Sequence, residues 1–254
     1  MPETRSAELL AGFAGVAGLL LLWELSARFI WQDPQTLPAP TQALAQAMTV
    51  LTPQRLAEHV GISLFRIFAG FSLAALAGIT LGILCGWSRW AVAVVRPFIE
   101  ILRPIPPLAW IPIAIIWFGL GEGSKIFVIF LGAFFPIFTS AWNGAAMAPK
   151  VLLSAAETMD VRGARLLVKV VVPAALPDMA TGLRVGFGLS FGILVAAELI
   201  AAQSGMGYLV MQSRQLGQLG ISIFGIFLIG IVALAVDHQF GVLTRKTIGR
   251  WSSI

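Results

Sequence analysis

A chain of 254 residues could hold one large soluble domain or about five to seven membrane helices. Hydrophobic residues make up 58% and charged residues 11%, against about 25% charged in an ordinary soluble domain. So little charge cannot cover a water-facing surface, and lipid must be the solvent. The formal net charge of +5 lies between apolar runs rather than clustered with aromatics. That argues against a nucleic-acid face and fits the Lys/Arg-rich loops on the inner side of a membrane.

A bilayer core about 30 Å thick takes roughly 20 apolar residues in a helix. The first span is predicted over 9–30. It reads as uncleaved, because the apolar run continues past Glu24 without a small-residue cleavage site. A polar, proline-marked stretch, 33–40, follows. Residues 41–60 then read as one amphipathic helix along the membrane surface, with Leu44, Ala47, Met48 and Leu51 on one face. The second span is 63–87. The third is irregular: 90–103 carries Arg96, Pro97, Glu100 and Arg103, and Pro104-Ile105-Pro106-Pro107 precedes an apolar run to Gly119. Prolines kink helices, and irregular backbone at membrane depth survives only where protein or a water cavity covers it. This segment is therefore expected to face the bundle interior.

The fourth span is 125–143, the fifth 185–202 and the sixth 221–243. A polar loop, 149–184, and a Gly/Gln-rich excursion, 203–220, separate them. With the termini inside, the inner loops hold Arg5, Arg89, Lys150, Arg162, Arg165, Lys169, Arg184, Arg245, Lys246 and Arg250. The outer loops hold Arg28, Arg55, Arg66, Lys125 and Arg214, with Arg96 and Arg103 of the irregular third span assigned to neither side. This bias places both termini and the 149–184 loop in the cytoplasm. The expected fold is all-α, a polytopic membrane helical bundle of about six transmembrane helices. It divides into an N-terminal helix and amphipathic connector (1–60), a core (61–245) and a short tail (246–254).

Small residues recur at four-residue spacing at Gly78, Gly82 and Gly86, at Gly182 and Gly186, and at Gly188 and Gly192. Such ridges let helices approach closely, either within the chain or between subunits. Gly119 to Lys125 imitates a phosphate-binding loop, but Ser124 precedes the lysine and Ile126 follows it, so the stretch reads as a turn. Any energy source must come from a partner. His59, His238 and the single Cys85 have no neighbouring ligands, so no metal site is expected. Glu198 and Asp237 are the notable acids within spans. Either could serve function or pair to hold helices together. No catalytic Ser/His/Asp context is present, which leaves little for an intramembrane enzyme.

The 149–184 loop carries the most information. Leu152, Leu153, Ala156 and Met159 can share a helical face with Glu157, Asp160 and Arg162 outside it, and Gly163 breaks the helix. Residues 166–172 resume it, and Pro173 to Pro177 read as its stop. A short helix before a proline turn is suited to docking in a partner's groove. The alternative is a surface helix lying on its own bundle.

Here the residues resemble a family. Ser154-Ala155-Ala156, followed by Val170-Val171-Val172-Pro173-Ala174-Ala175-Leu176-Pro177, resembles the Glu-Ala-Ala loop of ABC importer permeases. Ser154 stands at the family's Glu and Asp160 at its Gly. Leu37-Pro38-Ala39-Pro40, Arg103 to Ala109, Trp117 to Gly121, Gly132 to Pro136, Ala196 to Ile200 and Gly205 to Leu209 are similar to the nitrate/sulfonate/taurine branch, co-linearly over about 37–240. The resemblance implies a type I importer permease in a bacterial inner membrane. Its solute would be a small anion such as a sulfonate, taurine or nitrate, brought by a periplasmic or lipid-tethered binding protein. It implies a second permease copy and two ATPase subunits that use ATP and Mg, with no cofactor on this chain. Ser154, Ala155, Ala156, Glu157, Asp160, Gly163, Pro173 and Pro177 would form the coupling loop, with helix 153–165 docked on the ATPase. Because Asp160 departs from the family's Gly and adds a charge, its expected role is to pair with a basic residue of the ATPase. Arg103, Pro106, Pro107 and Glu198 are the pathway candidates. The competing reading is a membrane scaffold without transport.

Overall fold

The computed structural model describes residues 2–248; Arg250 and the rest of 249–254 lie outside the described residues, as do the side chains of Arg5, Arg245 and Lys246. Among the described residues, every regular element is helical. Five helices are long and apolar enough to cross a membrane, or six if one bent pair counts as a single span. The chain separates into two compact units. One comprises the chain up to Val60 and Ser204–Gly230, the other Gly61–Gln203 and Ile231 onward.

In the first unit, α1 (Pro2–Leu25) runs into a π-helical turn, Ser26–Trp31, which Gln32 ends in the left-handed conformation. Glu24 ties the end of α1 to the start of α2 (Pro40–Val50). Its carboxylate accepts from Arg28 at 2.6 Å and from the Thr41 hydroxyl at 2.7 Å. Between these helices Asp33 closes a turn, accepting from the Thr36 hydroxyl and the Gln35 N–H, which hold its carboxyl below the usual carboxylate range. Ala43, Ala47, Met206, Leu209 and Ile221 are buried. Trp23 stacks on Phe227 at 5.5 Å, and the His59 Nδ1 accepts from the N–H of Gly205, which opens α10 (Met206–Gln215).

The single helix expected over 41–60 is two. Leu51 is extended, and Pro53 starts α3 (Pro53–Trp87), so 53–60 are the first turns of the second span. The residue before a proline is pushed out of the helical region, while a proline at the first helical position costs nothing. The break at Thr52 follows from both effects.

The second unit is organised around α6 (Glu122–Ala146). On one side, the glycines of α3 lie on it: a Cβ at Gly82 would sit 2.7 Å from both the Ala141 Cβ and the Phe138 carbonyl, and Gly86 meets Ala145 as closely. On the other side, α9 (Val172–Ala201) brings Gly182 against Ser140 and Gly186 against the Ala133 carbonyl. These ridges are intrachain packing, with backbones in near contact. Gly188 and Gly192 instead face open space. Phe71, Phe134, Phe138, Phe187 and Phe191 fill the core, where Phe187 stacks on Phe240 of α11 (Leu219–Ile248) at 4.4 Å.

The third span is broken as the prolines require. α4 (Arg89–Leu102) and the Pro107–Phe118 segment meet at 88°. That segment is a 3-10 turn (Pro107–Trp110) followed by α5 (Ile111–Phe118). It faces inward only in part. Ile111 and Ala114 are buried against Val128 and Ala197, whereas Trp90, Val94, Phe98 and Ile101 line an exposed stripe of α4. The break can be tolerated because its backbone is locally satisfied: Ile105 N–H bonds Leu102 and Ala109 N–H bonds Pro106.

The prolines at 173 and 177 do not end a helix. From Ala164 the chain is helical to Ala201, through short α8 (Ala164–Leu166), a π-helical turn (Leu167–Val171) and α9. A proline in a regular helix clashes with the carbonyl four residues back. Here that residue is Lys169, inside the widened π turn. The fifth span thus begins some twenty residues before the apolar run that marks it in the sequence, by the count from 164 to 185.

Candidate coupling site and pathway

α7 (Lys150–Thr158) follows Pro149 directly after α6. Leu153 and Ala156 turn inward, Leu153 packing beside Val171, Ala175 and Met179. Leu152 and Met159, expected on that same face, are exposed. Val151, Ala155 and Met159, spaced by four, form an outward ridge, with Val151 79% and Met159 78% exposed. One side of α7 thus lies on its own bundle, and the other is bare. Ser154 and Glu157 are exposed as well.

The end of α7 explains why a glycine suits position 160. The Asp160 N–H bonds the Glu157 carbonyl, and the Val161 N–H reaches back to Ala156 at 2.9 Å. This is the Schellman closure, whose residue after the cap must be left-handed. Asp160 adopts φ 57°, one of only two non-glycine residues with positive φ among those described. Its carboxylate lies 3.3 Å from Arg162, both highly exposed, a pair worth little. Gly163 at φ 57° and ψ −133° takes a conformation open essentially to glycine. Asp160→Gly should therefore slow amide hydrogen exchange across 156–162, by up to about fivefold for a strain of roughly 1 kcal/mol. Gly163→Ala should speed it, the conformation costing about 1–3 kcal/mol. Equal exchange in all three proteins would show that the turn is not strained.

Among the pathway candidates, Arg103 caps α4 and is exposed at the 88° break, beside Pro106 and Pro107. The 3-10 turn that Pro107 opens packs against α6 and α9. Glu198 is elsewhere in character. Its side chain is 0% exposed and bonds Arg66 Nη1 at 2.7 Å and the Ser63 hydroxyl at 2.7 Å. Arg66, counted by position among outer-loop cations, is 1% exposed inside α3. Its other edge holds Glu122 of α6 in a two-point pair at 2.5 and 2.7 Å. Lys125, likewise counted outside, is buried and donates to the Leu120 and Gly121 carbonyls. One arginine therefore ties α3, α6 and α9 together at the end opposite α7. The sequence carries a signal for this, because a cation within an apolar run needs an acid partner in another span; Glu198 and Asp237 are the two acids on offer, and the structure pairs Arg66 with Glu198. Gly119 to Gly121 form a turn, but Glu122 to Lys125, expected to continue it, are the first turn of α6.

Residues 78–249 match the model of the binding-protein-dependent transport system inner membrane component family. The chain is 37% identical over 250 residues to the taurine transport system permease protein of Escherichia coli, covering 96% of this chain and 90% of that one. It is 32% identical over 242 residues to the nitrate import permease protein of Synechocystis, covering 92% and 87%. Its fold resembles a chain of the inward-facing MetNI methionine ABC transporter, with TM-score 0.61 at 20% identity over 78% of this chain and 97% of that chain. The chain belongs to the family of binding-protein-dependent transport system inner membrane components, as a multi-pass permease subunit of an ABC importer.

Proposed function

We propose that this permease carries a small oxyanion, a sulfonate, taurine or nitrate, through a path shared with a second copy of itself, and that α7 with its 159–163 turn docks in a cytoplasmic ATPase. The observation that carries the reading is the bare ridge of Val151, Ala155 and Met159 beside exposed Glu157 and Asp160. Large apolar side chains on a polar connecting helix call for a partner's groove. The ATPase uses the ATP and Mg, and this chain binds neither. A periplasmic or lipid-tethered binding protein delivers the solute. Both termini then lie in the cytoplasm, the side of the 149–163 segment.

In this account ATPase closure presses on Ser154, Ala155, Ala156 and the turn through Gly163. The push passes along the helix that contains Pro173 and Pro177, biasing inward- against outward-facing states as a ligand biases any two-state element. Arg103, Pro106 and Pro107 at the break of the third span border the path. Glu198 enters as the fixed partner of Arg66, holding the opposite end of the bundle.

Affinity purification of the tagged chain from gently solubilised native membranes tests the reading. An ATPase with a true phosphate-binding loop should co-purify, and Val151→Asp/Met159→Asp should lose it. No ATPase with the unaltered chain, under conditions that keep other membrane complexes whole, would favour the scaffold reading.

A further inference from the structure

A second cluster of polar groups sits in the second unit, on α9 and α11. Arg184 of α9 shares a cavity of about 660 Å³ with Asp237, His238 and Gln239 of α11. These residues belong to segments long and apolar enough to cross a membrane. Arg184 and His238 are exposed and Asp237 half-buried, and no hydrogen bond or ion pair engages Arg184 or Asp237 among the described residues. Ionisable side chains in membrane helices pair with each other or face a water-filled route; unpaired, they mark the path of a solute. The same face of α9 continues past Arg184 through Gly188 and Gly192, four residues apart and open, so bare backbone extends the route from the cation.

We propose that Arg184 and Asp237 form a solute site in the translocation pathway, built for a small zwitterion that carries a sulfonate-like oxyanion and an ammonium group. The guanidinium offers a fork of donors to the oxyanion. The carboxylate across the cavity accepts from the ammonium. Gln239 and His238 add neutral polar contacts. A purely anionic solute would use Arg184 and leave Asp237 repelling it, so the site discriminates by the amine. The proposal rests on the importer reading above and deepens it by naming the solute class.

The test uses the permease with its own ATPase and binding protein in liposomes, following ATP-driven uptake of labelled taurine, of ethanesulfonate, which lacks the amine, and of nitrate. Arg184→Gln should lower uptake of taurine about tenfold, the loss of one charge-assisted hydrogen bond. Asp237→Asn should lower taurine uptake by a similar factor but change ethanesulfonate uptake less than about twofold. Both variants should keep the thermal transition of the unaltered chain. Three results would overturn the proposal: taurine uptake unchanged in both variants, an equal loss of both sulfonates in Asp237→Asn, or effects that vanish in liposomes without anionic lipid, which would make the cluster a headgroup site. Unaltered transporter that moves ethanesulfonate or nitrate but not taurine would refute the zwitterion while sustaining the oxyanion importer. Failure to move any of the three would refute both.

Discussion

Replacing Arg66 with Ala should destabilise the permease by about 3–5 kcal/mol, because the Glu198 carboxylate would stay buried after losing its cation. Arg66 and Glu198 are both essentially without exposure, and their contact is 2.7 Å. Removing one partner of such a pair leaves an uncompensated charge, whereas removing both need cost little. Arg66→Met/Glu198→Leu should therefore recover about half or more of the loss. Glu122→Gln makes the contrast. Its side chain is 47% exposed, so solvent screens that arm and less than about 1 kcal/mol is expected. The single cysteine offers the readout. Cys85 is buried in α3, so a thiol-reactive dye labels it as the bundle opens on heating. If Arg66→Ala labelled at the unaltered protein's temperature, the triad would not be holding the helices.

The second large effect lies one turn from that cysteine. Gly82→Ala places a methyl 2.7 Å from the Ala141 Cβ and from the Phe138 carbonyl. Neither obstacle is the end of a flexible side chain, so α3 and α6 must separate. Overpacking of this kind costs about 1–3 kcal/mol, with the loss of close backbone contact in addition. Gly188→Ala, in open space on α9, should be neutral or gain up to about 1 kcal/mol from helix propensity. A lower dye-labelling temperature for Gly82→Ala, and an unchanged or raised one for Gly188→Ala, is the expected pattern. Equal effects at both positions would contradict the packing described.

The pair of glycine variants also shows what the sequence could and could not give away. Four-residue spacing makes all these glycines candidates for close helix contact. Which ridge meets α6 and which stands open depends on helix rotation, and spacing alone is blind to that. Span positions were legible because about 20 consecutive apolar residues have few other uses. Boundaries were not where proline chemistry intervened. Pro53 moved the start of the second span back to residue 53, and the π turn before Pro173 carried a helix through two apparent stops. Position along the chain puts Arg66 among the outer-loop cations, while its burial depends on Glu122 and Glu198, 56 and 132 residues away. The 160 position was legible through resemblance alone. The positive φ of Asp160 and the closing bond from Val161 to Ala156 supply its physical reason.

The coupling surface is the central claim, and solute-stimulated ATP hydrolysis tests it most directly. The permease is reconstituted with its ATPase and binding protein, and hydrolysis is followed as solute-loaded binding protein is added. Val151→Asp/Met159→Asp alters only exposed side chains, so the chain should keep the Cys85 labelling transition of the unaltered protein. Stimulation should nevertheless fall about tenfold or more, the loss expected when apolar anchors of an interface become charged. Full stimulation with the ATPase still bound would contradict the account and place the coupling contact elsewhere on the chain.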